Sequence, residues 1–174
     1  MTFKKRLRPI CMILLGLFIS LNWKCTASYS FTGASISPEV KSVSIGFFEN
    51  KASLTPPNQS QLFTEALKDI FISQTNLSLV SANGDLELEG EITDYSIRPT
   101  AVQGNEQAAL TRVTITVNVR FINKKDESQN FESSFSRFED FETGRDLSAV
   151  EAEILNSIND QLTQDIFNKA VTDW

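Results

Sequence analysis

The segment "RVTITVNVRFI", residues 112–122, alternates polar and apolar side chains from Arg112 to Phe121. Its apolar members are β-branched or aromatic: Val113, Ile115, Val117, Val119 and Phe121. Successive side chains of a strand point to opposite faces, so strict alternation is typical of a strand with one buried and one solvated face. The segment therefore predicts a long central strand of a sheet.

The residues before this segment predict two more strands. "DLELEGEITDYSIRP", residues 85–99, predicts a long strand with leucine and isoleucine side chains on its buried face. A short apolar run over residues 77–80 precedes it, and the Asn83-Gly84 pair between the two is typical of the positive-φ turn of a tight hairpin. We therefore expect this part of the chain to run back and forth as a meander.

The first and last strands complete the predicted sheet. A first strand is predicted over residues 40–48, and three residues share its predicted buried face: Val43, Ile45 and Phe47. "FESSFSRFEDF", residues 131–141, predicts the last strand, and its phenylalanine spacing changes from four residues to three, at Phe131, Phe135, Phe138 and Phe141. An extra residue in a strand shifts the alternation, so this change predicts a β-bulge near Arg137.

Two segments have helical periodicity. "NQSQLFTEALKDIFISQT", residues 58–75, forms one apolar stripe, with Asn58 as the predicted N-cap and Gln61 as its reciprocal partner. In the C-terminal segment, Ser148 and Glu151 predict a capping box. Apolar residues of this segment recur every three or four positions, at Leu147, Val150, Ile154, Ile158, Leu162 and Ile166. We expect an α+β fold, a two-layer sandwich with two helices packed on one face of a mostly antiparallel sheet of about four strands.

The N-terminus has the pattern of an export signal. A basic stretch precedes an uncharged, mostly apolar run over residues 9–23. A helix of that length spans about 22 Å, which is less than the hydrocarbon core of about 30 Å, so a signal peptide over residues 1–24 is favoured over a retained membrane anchor. Cleavage before Cys25 would leave a lipid-modified cysteine, whereas cleavage after Ala27 would follow the small-x-small pattern. The pattern alone leaves both routes open.

Residues 25–174 are predicted to form a single domain that is strongly acidic. The chain has 16 basic and 22 acidic residues, and residues 1–25 hold five of the basic ones and none of the acidic ones. The mature chain therefore has 16 − 5 = 11 basic residues and a net charge of 11 − 22 = −11. Such a domain is repelled by phosphate backbones, which argues against a nucleic-acid partner.

The sequence lacks the side chains of most familiar catalytic and metal sites. It contains no histidine, and its two cysteines are Cys11 and Cys25. This excludes Ser-His-Asp and Cys-His nucleophilic machinery in the mature body, together with the usual zinc ligands. We expect no enzymatic activity, no cofactor and no metal ion.

Two groups of charged residues remain as candidates for a site. The acidic residues Asp85, Glu87, Glu89 and Glu91 alternate along a predicted strand. Side chains at that spacing lie about 7 Å apart, too far to share one cation without other ligands, so we interpret the run as a solvated strand face. Arg98 and Arg112 flank the loop "PTAVQGNEQAALT", residues 99–111. They are candidate contacts for an anionic ligand, and two solvated surface side chains are the alternative.

Seven strings, in this order along the chain, resemble the LPS-assembly lipoprotein family LptE. They are "SYSFTGASI", "VKSVSI", "FTEALKDIF", "LELEGEITDY", "TRVTITVNVRF", "FESSFSRFEDF" and "IFNKAVTDW". The resemblance covers residues 28–174. It implies two helices on one face of a four-stranded sheet and a protein without catalytic activity.

The resemblance also implies a location and a partner. It implies an exported lipoprotein on the periplasmic side of the Gram-negative outer membrane, which assembles with the LptD β-barrel and plugs it while lipopolysaccharide passes to the outer leaflet. The family carries its lipidated cysteine shortly before the "YSFTG" string, a position that Cys25 occupies here. The alternative is a generic exported lipoprotein that binds another component of the cell envelope.

Overall fold

The structure is a computed structural model that describes residues 36–100 and 110–171. These residues belong to one compact unit. Its elements follow in the order β1 (Ser42–Ile45), β2 (Glu49–Asn50), α1 (Gln59–Gln74), β3 (Ser78–Val80), β4 (Leu86–Thr100), β5 (Leu110–Asn123), a short 3-10 turn (Glu127–Gln129), β6 (Phe131–Glu142) and α2 (Leu147–Val171). The predicted α+β class with two helices is confirmed.

The sheet is mixed and contains six strands in the described part of the chain. Its order is β3-β1-β4-β5-β6, and β2 pairs with β4. β1 is parallel to both β3 and β4, whereas β4, β5 and β6 are antiparallel neighbours. The prediction of about four, mostly antiparallel strands is therefore only roughly right. Because β2 and α1 lie between β1 and β3, the chain returns through a helix and enters β3 in the same direction, which produces parallel pairing.

The predicted first strand is interrupted between β1 and β2. From Ile45 to Glu49 the chain contains one residue more than the facing part of β4. The extra residue reverses the alternation, so that Phe48 is buried and Phe47 is 61% exposed. The prediction of Phe47 as a core residue is therefore wrong. Gly90 leaves space for the buried ring, because a Cβ atom there would lie 2.5 Å from Cε1 of Phe48.

The Asn83-Gly84 pair does not form the predicted hairpin. Asn83 has a positive φ of 58°, but β3 and β4 lie on opposite sides of β1, so the intervening residues cross from one side to the other. Gly84 passes directly against the β1 backbone. A Cβ atom on Gly84 would lie 2.5 Å from the amide nitrogen of Ser44 and 2.8 Å from the carbonyl carbon of Val43. The crossing thus requires a residue without a side chain.

Strands β4, β5 and β6 form the predicted meander, but its irregularity lies elsewhere. The register of β5 and β6 is continuous along their whole paired length, so the bulge predicted near Arg137 is wrong. The register shifts instead between Ile92 and Asp94 of β4. Phe138 breaks the phenylalanine spacing because it lies on the other face of the sheet, where it is 48% exposed.

The core lies between the sheet and the two helices. α1 contacts β1, β2 and β3, whereas α2 contacts β5 and β6, and the helices also contact each other. Five side chains of β5 are at most 1% exposed: Val113, Ile115, Val117, Val119 and Phe121. Between the helices, Phe71 and Phe167 meet edge to face with ring centroids 5.1 Å apart. Gln59 also donates a buried hydrogen bond to Asn159 at 2.6 Å.

Both predicted helix caps differ in detail. Asn58 occupies the N-cap position of α1, but its side chain makes no capping hydrogen bond. At the start of α2 the capping side chain is that of Asp146, which accepts a hydrogen bond from the Ser148 N–H at 3.0 Å. The predicted capping box is therefore wrong, and the N-cap lies two residues before the predicted Ser148. Glu151 instead accepts a hydrogen bond from the Tyr95 hydroxyl at 3.4 Å.

Candidate interaction surface

The face of the sheet that the helices do not cover carries the polar residues of the strand alternation. We call it the open face, and define it by the outward-pointing residues of three strands. In β4 these are Glu87, Glu89, Glu91, Asp94, Ser96 and Arg98; in β5, Arg112, Thr114, Thr116, Asn118 and Arg120; in β6, Glu132, Ser134, Ser136, Phe138 and Asp140. Because alternate residues point to opposite faces, the pattern that buries one side makes the other side polar.

Arg112 is fixed on the open face by two residues of β6. Its Nε and Nη2 atoms donate to the two carboxylate oxygens of Asp140, each at 2.8 Å. Its guanidinium also lies over the Phe138 ring, 3.5 Å from the centroid. The hydrogen bonds from Arg112 hold the pKa of Asp140 below its usual range and raise the pKa of Arg112. Asp140 therefore occupies one edge of the guanidinium and neutralises its charge, which weakens the attraction of Arg112 for an anionic ligand.

Arg98 lies directly across from Arg112 in the pairing of β4 with β5. The structure thus brings the two predicted arginines side by side. Arg98 is exposed and forms no ion pair with any residue in the described ranges. Most of the loop between the two arginines, residues 101–109, lies outside the described residues. Within the described part, Arg98 is the member of this pair whose charge no carboxylate neutralises.

The acidic residues of β4 lie on the open face, as predicted. Glu87 accepts a hydrogen bond from the Lys124 ammonium at 2.7 Å. Glu89 and Glu91 line a shallow depression of about 280 Å³, together with Arg120 and Glu132. No group of three or more side chains suited to hold a metal ion occurs within residues 36–100 and 110–171.

Asp85, the first acid of the predicted run, has a different role. It precedes β4, and its Oδ2 atom accepts hydrogen bonds from the N–H groups of Lys41 at 2.9 Å and Ser42 at 3.1 Å. Lys125 forms an ion pair with it at 3.1 Å. The Lys41 N–H and then Lys125 lower the pKa of Asp85 to about 2. Its interpretation as part of a solvated strand face is wrong, because it joins the start of β1 to the start of β4.

The predicted lipidation site cannot be placed on this domain. Cys25 lies outside the described residues, as does the predicted signal peptide over residues 1–24. In the described part of the chain, no helix has the length and apolar character needed to cross a membrane. Lipidation at Cys25 therefore stays a prediction.

Two residues of the open face were missed from sequence. Asp140 neutralises Arg112 and Phe138 supports its guanidinium, yet both belong to β6 and approach Arg112 only through the strand register. A signal for Phe138 was present, because it is out of phase with the other phenylalanines of its strand. No comparable signal marks Asp140, since exposed acids are frequent throughout this chain.

Comparison with protein families finds one match, over most of the chain. The model for the family described as LptE, lipopolysaccharide-assembly, matches residues 40–170. The matched range begins just before β1 and ends in the last turn of α2, so it contains the whole sheet. A search of curated proteins finds no match to this sequence.

Solved structures with a similar fold come from distant sequences. A minor lipoprotein from Acinetobacter baumannii is 15% identical, with a TM-score of 0.50 over 75% of this chain and 92% of that chain. A putative neuraminyllactose-binding hemagglutinin homolog from Helicobacter pylori is 13% identical, with a TM-score of 0.52 over 82% of this chain and 89% of that chain. At these identities the similarity is one of fold alone.

Proposed function

Because the chain belongs to the LptE family of lipopolysaccharide-assembly proteins, we propose that it is an outer-membrane lipoprotein that assembles with an LptD-like β-barrel. In this proposal the domain plugs the barrel from the periplasmic side and helps deliver lipopolysaccharide to the outer leaflet. The family match over residues 40–170 is the observation that carries the proposal.

The open face gives this proposal a physical basis. The lumen of a large outer-membrane barrel is polar and filled with water. A domain that occupies it needs a polar exterior, and β4, β5 and β6 provide one through side chains such as Glu89, Asn118 and Arg120, all of them exposed. Binding by such a domain is spread over many contacts, and a plug needs no catalytic residue.

A lipid on Cys25 would fix the domain to the membrane surface. Each buried CH₂ group contributes about 0.8 kcal/mol, and stable anchoring requires more than one acyl chain. The mature charge of −11 provides no electrostatic attraction to an anionic leaflet. We therefore propose that the lipid, together with the barrel, determines the location of the protein.

Arg98 is the proposed contact for an anionic ligand such as a lipopolysaccharide phosphate. It is exposed and free of ion pairs within the described residues, whereas Arg112 is bound by Asp140. The two arginines therefore differ in charge balance: Asp140 neutralises Arg112, whereas no described carboxylate pairs with Arg98.

Affinity purification from envelope membranes, followed by mass spectrometry, tests the proposal. We expect a β-barrel of the LptD type to co-purify and the mature N-terminus to be an acylated Cys25. The Cys25→Ala variant should appear in the soluble fraction when the barrel is absent. Depletion of the protein should reduce both assembled barrel and surface lipopolysaccharide. Recovery of another envelope component in place of a barrel would contradict the plug, and an unmodified chain beginning at Ser28 would contradict the lipid anchor.

A further inference from the structure

A groove of about 520 Å³ lies between the end of β6 and the first half of α2. Its lining combines apolar side chains with four carboxylates and one guanidinium, that of Arg145, so its net charge is negative. The apolar ones are Leu110, Phe141, Val150 and Ile154. Three carboxylates of the same lining are Glu139, Glu142 and Glu153, and the last two are exposed. The groove therefore offers buried apolar surface next to negative charge.

The same groove adjoins an unpaired edge of the sheet. β6 is the last strand in the order, and within the described residues it pairs only with β5. It is twelve residues long, its register with β5 contains no bulge, and it contains no proline. A long, regular edge presents N–H and C=O groups to which an extended segment can add.

The charges at this edge argue against pairing with a second copy of the chain. Glu139 points towards the helices and accepts a hydrogen bond from the Ser157 hydroxyl at 2.9 Å. Inward-pointing charges on an edge strand are a known means of preventing edge-to-edge association. Two copies would also each bring a mature charge of −11 to the contact. Arg137 also points inward, where it forms an ion pair with Asp165. The acidic residues at the end of the edge therefore disfavour an acidic strand and favour a basic one.

We propose that the β6 edge and the adjoining groove bind an extended, basic and apolar polypeptide segment of a partner protein by strand addition. Backbone hydrogen bonds to residues 139–142 align the segment. Its apolar side chains then enter the groove, and its lysine or arginine side chains contact Glu142 and Glu153. The inference goes beyond the proposed function, because it specifies a peptide-binding edge whether or not the partner is the barrel.

A synthetic peptide of alternating lysine and valine is the probe, and its affinity for the purified full-length chain is measured by fluorescence anisotropy. The double variant Glu142→Lys/Glu153→Lys should weaken binding by about tenfold or more. The matched control is Glu132→Lys/Asp160→Lys, which changes the net charge equally at exposed positions of the same strand and the same helix. We expect the control to change the affinity by less than about twofold, since a distant exposed charge is screened.

Two further measurements distinguish strand addition from simple charge attraction. The peptide should slow hydrogen exchange at residues 139–142, and a version with every backbone amide N-methylated should not bind. Equal binding of the methylated peptide, or equal weakening by both double variants, would overturn the proposal. Slow exchange at residues 139–142 in a dimer of the chain without peptide would also overturn it, because the edge would then belong to a second copy.

Discussion

The two halves of the sheet, one antiparallel and one parallel, are stabilised by different kinds of contact. The meander, which consists of β4, β5 and β6, is an antiparallel ladder between strands of 12 to 15 residues, with one register shift between Ile92 and Asp94 of β4. The parallel corner, which consists of β1, β3 and the crossing residues 81–85, contains strands of only four and three residues. In the meander, stability is distributed over many cross-strand pairs, each of which contributes a fraction of a kcal/mol.

The parallel corner depends instead on a few contacts. Gly84 allows two backbone segments to touch, and Asp85 ties Lys41 and Ser42 to the start of β4. A short parallel strand has few ladder hydrogen bonds of its own, so losing one of these contacts removes a large share of what holds it. The comparison teaches that a substitution in the meander is tolerated or not according to the polarity of its side chain. In the parallel corner, the backbone geometry decides whether a substitution is tolerated.

The largest effect is expected from a charge placed inside the meander. Val117 is 0% exposed, so Val117→Asp buries an unpaired carboxylate and should cost more than about 4 kcal/mol. That is a large part of the total stability of a typical domain, about 5–15 kcal/mol. Urea unfolding monitored by circular dichroism should show a mostly unfolded or strongly destabilised variant.

Thr114→Asp is the matched control on the open face of the same strand. Thr114 pairs with Ser96 and Phe138, so no carboxylate stands directly opposite. Its cost should stay below about 1 kcal/mol, as for most surface substitutions. Equal destabilisation by the two aspartates would contradict the assignment of the faces.

The second prediction concerns the backbone contact in the parallel corner. Gly84→Ala adds a Cβ atom within 2.8 Å of the β1 backbone, and forcing the segments apart should cost about 1–3 kcal/mol. Gly144→Ala is the control, because a Cβ atom there meets nothing within 4 Å. Thermal unfolding should show a lower Tm for the first variant and an unchanged or slightly higher Tm for the second. A Gly84 variant as stable as the wild type would mean that the crossing adapts without strain.

The same contrast explains which parts of the fold could be predicted from sequence. The alternation of Val113 to Phe121 and the helical stripes depend on local periodicity, which each segment displays by itself. The parallel corner depends on contacts between distant positions, such as the bond from the Ser42 N–H to Asp85, 43 residues later. The residues next to Gly84 and Asp85 in the sequence do not indicate that these two contact β1. The Asn83-Gly84 pair is instead more typical of a hairpin.

The same distinction between local periodicity and long-range contacts applies to the candidate site. The sequence places Arg98 and Arg112 at the two ends of one loop, and the pairing of β4 with β5 brings them side by side. The difference in charge balance between the two arginines could not be predicted, because it depends on Asp140 and Phe138 in the next strand. The displacement of the bulge from Arg137 to β4 has the same cause: strand register is a property of the pair of strands.

The smallest effect, and the last prediction, is a pH-dependent loss of stability when the charge of Asp85 is removed. Asp85→Asn retains an oxygen acceptor but loses the ion pair with Lys125, and because the Asp85 side chain is 22% exposed the effect is partly screened by solvent. The folded pKa is lowered to about 2 from an unfolded value of about 3.9. The carboxylate therefore contributes its full stabilisation above about pH 4, and this contribution is lost as the pH falls towards about 2. Thermal unfolding from pH 7 to pH 2 should show a lower Tm for the variant at neutral pH and convergence with the wild type in acid, whereas Glu89→Gln on the open face should follow the wild type throughout. A constant difference between the Asp85 variant and the wild type down to pH 2 would show that the shape of the side chain, and not its charge, holds the parallel corner.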